Sequence, residues 1–187
     1  MTQVSIAELV AGVKEGRVVS FPTDTVPALA ALPEKAESIF TFKQRSLDKP
    51  LILMAADSEQ IWGFVKGSQQ EYEIWQKVAG KYWGGALTLV LPASSKVPSC
   101  MNPNNPTTIG VRVPQSDIAC RVLAQTGPLA TTSANLSGKP PLQTIPEIEA
   151  EFPNVLTLET TSYESKIKSV GIPSTVAKWD DNKWQIL

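Results

Sequence analysis

Apolar and polar positions along this chain alternate in short bursts that change period several times. Ser5-Ile6-Ala7-Glu8 forms a capping box, and Ile6, Leu9, Val10 and Val13 follow at helical spacing until Gly16. "RVVSF" at 17–21 predicts a strand, stopped by Pro22. "PEKAESIFTFKQR" at 33–45 predicts a helix that opens on Pro33 and carries Ala36, Ile39, Phe40 and Phe42 on or near one face. "PLILMA" at 50–55 predicts a buried strand, and a helical stretch from about 58 to 82 breaks near Gly67-Ser68. "ALTLVL" at 86–91 and "TIGVRV" at 108–113 predict strands on either side of a loop rich in Pro, Ser and Asn. A helix at 116–126, the strand "PLATTS" at 128–133 and a second capping box at Thr144-Ile145-Pro146-Glu147 come next. "VLTLE", "PSTVAKW" and "WQIL" are strand-like. Helices alternating with apolar strands predict an α/β (α+β) fold, one mixed sheet in one domain spanning 1–187.

Composition narrows the chemistry. Of 187 residues, 42% are hydrophobic and 19% charged, and the formal net charge is −1, which argues against a protein whose main task is to coat nucleic acid. Cys100 and Cys120 fit no metal spacing and are too few for a disulfide scaffold. The N-terminus lacks the basic start and apolar stretch of a signal peptide, and no apolar run approaches the ~20 residues of a membrane span, so the expected location is the cytoplasm. The chain contains no histidine. Ser-His-Asp and Cys-His catalysis are therefore excluded, as are histidine-ligated zinc sites. An enzyme of this composition works through positioning, backbone N–H groups, hydroxyls and cations.

Four polar stretches sit at predicted strand ends, where open α/β sheets build their sites. "PTDTV" (22–26) is either a proline-initiated turn or part of a pocket. "KQRSLDK" (43–49) is either a solvated helix end, where cations suit the C-terminal dipole, or a grip for phosphates through Lys43, Arg45 and Lys49. Arg112 alternates with Val111 and Val113, so it faces either water or a carboxylate. "TTSANLSG" (131–138) packs hydroxyls and an Asn behind an apolar strand, a composition suited to holding anions. Together they describe a site for an anionic ligand, and no P-loop or dinucleotide fingerprint accompanies them.

In this order, "FPTDTV", "KQR…DKPLIL", "ALTLVLP", "GVRVP", "TSANLSGKP" and "PSTV" resemble the YrdC-like family of threonylcarbamoyl-AMP synthases, from about Val18 to Val176. The resemblance implies a twisted open sheet with a concave, cationic cavity. It implies L-threonine, bicarbonate and ATP with Mg2+ as reactants, and threonylcarbamoyl-adenylate and pyrophosphate as products. The adenylate would pass to downstream proteins that modify tRNA, and RNA, double-stranded RNA included, is a further expected partner. Carried over by position, Thr23, Arg112, Thr132, Ser174 and Thr175 would meet L-threonine. Lys43, Arg45, Lys49, Thr108, Ser133, Asn135 and Ser137 would meet ATP, with Lys43 and Arg45 as the catalytic cations and no side-chain metal ligand identified.

Three departures accompany the resemblance. Pro27 and Ala28 stand where many relatives carry an aromatic residue and a glycine, and the proline fixes φ there. The apolar run through Met54 and Ala55 lacks the histidine that relatives carry after "KPL". The sequence stops at "WQIL", where relatives continue with an arginine and a glycine near the nucleotide. The alternative reading is a YrdC-like protein that binds RNA or a nucleotide without catalysis.

Overall fold

The computed structural model describes residues 2–159 and 169–187. Its ten strands are β1 (Gln3–Val4), β2 (Val19–Phe21), β3 (Ala28–Ala31), β4 (Ile52–Met54), β5 (Leu87–Pro92), β6 (Thr108–Arg112), β7 (Leu129–Ser133), β8 (Leu156–Leu158), β9 (Thr175–Asp180) and β10 (Lys183–Ile186). They form one open mixed sheet in the order β1-β8-β2-β3-β7-β4-β6-β5-β9-β10. The helices are α1 (Ile6–Lys14), α2 (Ala36–Lys43), α3 (Glu59–Trp62), α4 (Gln69–Tyr82), α5 (Asp117–Thr126) and α6 (Ile145–Glu151).

The expected elements are present, with adjustments that have local causes. The helix expected over 33–45 opens as a 3₁₀ turn at Pro33–Lys35 and ends at Lys43, because Gln44 takes a left-handed conformation at φ 48°. The stretch 58–82 resolves into α3 and α4, the latter restarted by a capping box between Ser68 and Glu71. Two strands were not expected. β1 has two residues, and β3 is "ALAA", all four buried, so it carries neither alternation nor β-branched residues.

The period-two rule divides the sheet into two faces. Leu29, Ala31 and Leu53 point to one core with α2, α3 and α4, where Ile39, Phe40, Ile61 and Trp75 are buried. Ala28, Ala30 and Met54 point to the other, against Leu9 and Val13 of α1 and Ile118, Val122 and Leu123 of α5. On that second face the row running from β3 through β7, β4, β6 and β5 to β9 extends past the α1–α5 pair. The polar stretches converge there.

Candidate active site

A cleft of about 200 Å3 lies on this row, lined by Thr23, Thr25, Arg45, Arg112, Thr132, Ser133 and Ser174 among others, with Ala28, Ile52, Met54 and Val176 as its apolar floor. The register explains the gathering. Met54 pairs with Arg112, Ala28 with Ser133, and Ile52 with both Gly110 and Thr131, so every second residue of these strands faces the same space. Gly110 keeps that floor low: a Cβ there would meet Ile52 Cγ1 and Thr88 Cγ2, each at 3.4 Å.

Arg112 is 4% exposed. Its Nη2 donates to Asp24 Oδ1 at 2.7 Å and its Nη1 to Thr25 Oγ1 at 2.9 Å. Its buried Nε has no hydrogen-bond partner among the described residues. A buried N–H without a partner is costly, so the guanidinium sits here at some expense in stability. Burial draws the group's affinity for its proton down, and the Asp24 carboxylate opposes this.

The loop between β2 and β3 is fastened from inside. Thr23 Oγ1 donates to Val26 O at 2.7 Å and accepts from Thr25 N at 3.2 Å. Pro27, the departure noted in the sequence, offers its carbonyl to Ala134 N at 2.8 Å and so joins this loop to the one after β7. Ser169 Oγ and Gly171 N both donate to Thr25 O, and Val170 N donates to Asp24 O, which brings the late segment onto the same loop. Ser174 Oγ lies 2.8 Å from Thr88 Oγ1 on β5.

Of the cations in "KQRSLDK", Arg45 lines the cleft. Its Nε donates to Lys49 O at 2.9 Å and its Nη2 to Pro50 O at 3.1 Å, which curls the loop around the guanidinium. Lys49 is exposed and does not line the cleft. Lys43 is fully buried beneath it, with Nζ 2.5 Å from the carbonyl oxygens of Ser133 and Asn135 and 3.2 Å from Asn135 Oδ1. Ser133 Oγ donates to Asn135 Oδ1 at 2.6 Å, and Asn135 Nδ2 donates to the carbonyls of Leu136 and Lys139, both at 2.7 Å.

The structure thus brings Thr23, Arg45, Arg112, Thr132, Ser133 and Ser174 together around one cleft. Lys43 and Asn135 are buried behind its rim, and Ser137 is tied back by its amide to Lys43 O. Thr108 accepts from Asn102 Nδ2 at 3.2 Å, and Thr175 is exposed. Neither lines the cleft. Asp24 and Thr25 are the site residues that sequence reasoning missed. "PTDTV" drew attention to them, but their partner lies 87–88 positions away and no spacing announces it.

Comparison with known proteins gives this geometry a context. The chain matches the profile of the Sua5/YciO/YrdC family, described as telomere recombination, over residues 12–187. It is 36% identical over 168 residues to a threonylcarbamoyl-AMP synthase of Pyrococcus abyssi, covering 88% of this chain and 47% of that one. To the threonylcarbamoyl-AMP synthase of Vibrio vulnificus it is 33% identical over 152 residues, covering 79% of this chain and 81% of the relative. Among solved structures, P. abyssi Sua5 complexed with L-threonine superposes with a TM-score of 0.85 at 30% identity, over 97% of this chain and 53% of that one. The chain therefore spans about half the length of the Pyrococcus protein and most of the Vibrio one. With its open mixed sheet and hydroxyl-lined cleft, the chain belongs to the Sua5/YciO/YrdC family.

Proposed function

We propose that this chain is a threonylcarbamoyl-AMP synthase, converting L-threonine, bicarbonate and ATP into threonylcarbamoyl-adenylate, pyrophosphate and water. The observation that carries the reading is the cleft that sets the guanidinium groups of Arg112 and Arg45 beside a row of hydroxyls. The names of the Pyrococcus and Vibrio relatives, and the threonine bound to the Pyrococcus structure, support it.

In this reading Arg112 receives the threonine carboxylate, with Thr132 and Ser174 around the rest of the amino acid. Arg45 faces the phosphates from the opposite wall. The neutral threonine amine attacks the carbon of CO2, which bicarbonate yields as a C–O bond breaks and water leaves, and forms the N–C bond of a carbamate while its proton passes to solvent. A carbamate oxygen then attacks the α-phosphorus, and the P–O bond to the β-phosphate breaks as pyrophosphate leaves. No side chain serves as nucleophile. The protein aligns two anions and offsets the charge growing on the leaving group. Mg2+ would enter with the nucleotide. Asp24 is paired with Arg112, and among the described residues no group of three or more acidic or cysteine side chains could hold a metal, so the ion would be carried by the phosphates. When bound, the ion would neutralise phosphate charge.

The product is an activated acyl-adenylate and needs an acceptor, which on this reading is tRNA served by downstream transfer proteins in the cytoplasm. Among the described residues no helix is long and apolar enough to cross a membrane. The non-catalytic alternative has less support, because the named relatives are synthases.

The test is pyrophosphate release by the purified protein with ATP, Mg2+ and bicarbonate, with and without L-threonine. Threonine-dependent release that disappears in Arg112→Ala is expected. Release that ignores threonine, or none from folded protein, would overturn the assignment.

A further inference from the structure

Lys43 and Arg45 sit two residues apart, yet the fold sends them to different places. Lys43 is the last residue of α2, and the left-handed turn at Gln44 directs Arg45 away toward the cleft. The Lys43 side chain runs into the protein, 0% exposed, and ends at three oxygens: Ser133 O, Asn135 O and Asn135 Oδ1. An ammonium has three N–H groups. All three are spent within the chain.

The three acceptors belong to one loop, and Lys43 holds that loop at a second point. Its own carbonyl accepts from Ser137 N at 3.1 Å. The loop is cross-tied further by Ala134 N to Pro27 O at 2.8 Å and Leu142 N to Ala134 O at 2.9 Å. Two carbonyls and an amide oxygen crowded at one point repel each other unless a cation sits between them. A compact ammonium suits that space, whereas a planar guanidinium fork does not.

We infer that Lys43 is a positioning residue whose buried ammonium clamps the Ser133–Asn135 loop, setting Ser133 and Thr132 at the cleft, and that phosphate contact belongs to Arg45. This deepens the synthase reading and rests on it for the identity of the ligands, but the clamp itself concerns the free protein. Burial, seconded by the charge of Arg45, pushes the Lys43 amine down to about 7, so the clamp is strongest below that pH.

The test compares Lys43→Met, Lys43→Arg and Arg45→Met with the wild type. Amide hydrogen exchange at Ala134 and Leu142, in protein without ligand, is read beside equilibrium binding of ATP and of L-threonine. The clamp predicts at least tenfold faster exchange at both amides in Lys43→Met, unchanged protection in α5, and weaker binding of both ligands. Lys43→Arg fails to restore either property, since charge without the right shape does not suffice. Arg45→Met leaves exchange at wild-type rates and weakens ATP alone.

Unchanged exchange in Lys43→Met with loss confined to ATP, or near-normal ATP binding in Lys43→Arg, would overturn the clamp. Should these variants not fold, acetic anhydride labelling of the wild type decides. Lys43 is expected to stay unlabelled with and without ATP, and labelling that ATP suppresses would make it a phosphate ligand. Failure of the synthase reading looks different: a protected, unlabelled Lys43 in a protein with no threonine-dependent pyrophosphate release.

Discussion

Asp24 Oδ1 and Arg112 Nη2 meet at 2.7 Å beside the cleft, with side chains 10% and 5% exposed. The pair joins the β2–β3 loop to β6 across 88 positions of sequence. Removing one member of a buried ion pair leaves the other charge without compensation. Asp24→Ala should therefore cost about 3–5 kcal/mol of stability, measured as the shift in urea unfolding. Threonine binding should fall with it, because the freed guanidinium no longer has one fixed orientation. A shift below 1 kcal/mol would mean that water compensates Arg112, and that the cleft is less closed than its geometry indicates.

Gly110 offers a probe of the cleft floor. A Cβ there would touch Ile52 Cγ1 and Thr88 Cγ2, each at 3.4 Å, the near limit of van der Waals contact. Gly110→Ala should change stability by less than about 1 kcal/mol, because the methyl enters without a clash. Isothermal titration should find weaker L-threonine binding, since the added methyl raises the floor beside Ile52, its strand partner, which lines the cleft.

The Lys43 amine gives a pH signature with two opposite arms. In the folded chain it is pushed down to about 7, from an ordinary value of 10.5. Between these values the unfolded chain binds the proton and the folded chain does not, so this group makes stability rise with pH across that window. The slope is at most about 1.4 kcal/mol per pH unit, and the three oxygens around the charged form lessen it. Loop order moves the other way, because the neutral amine has lost one of its donors. Urea midpoints from pH 6 to 9 should climb more in the wild type than in Lys43→Met, while exchange at Ala134 speeds up once corrected for intrinsic rates. Parallel midpoints would mean that Lys43 keeps its proton throughout.

Glu71 governs an acid limb. It accepts from Ser68 N at 2.8 Å to cap α4, and from Trp179 Nε1 at 3.0 Å to tie that helix to β9. The backbone N–H of Ser68 is the main cause that holds its carboxyl below the usual range, with Trp179 next. Its contribution is full above the ordinary carboxylate range and fades as pH falls through the lowered value. Glu71→Gln should flatten the decline of thermal midpoint below about pH 4.5, leaving the neutral-pH activity intact.

How much of this was readable beforehand depended on distance along the chain. Helix starts at Ser5 and Thr144 were legible because a capping box is complete within four residues. β3 was not, since three buried alanines and a leucine carry no period. Thr23, Arg45, Arg112 and Ser133 could be nominated from their polar setting at strand ends. The Asp24–Arg112 pair could not, because register alone creates it. Lys43 and Arg45 read as equivalent cations, and only the turn at Gln44 separates an inward residue from one at the cleft.

The segment from Ser169 to Val176 has a consequence for synthesis. It supplies Ser174 and Val176 to the cleft, hands donors to Asp24 and Thr25, and leads into β9, which pairs with β5. A chain emerging from the ribosome would have Arg112, Arg45 and the hydroxyl loop in hand while one wall was still missing. Contacts across some 145 positions form late, since their loop entropy must be met first. On the proposed reading, ligand capture would be tied to completion of the sheet, since the last wall of the cleft arrives with this segment.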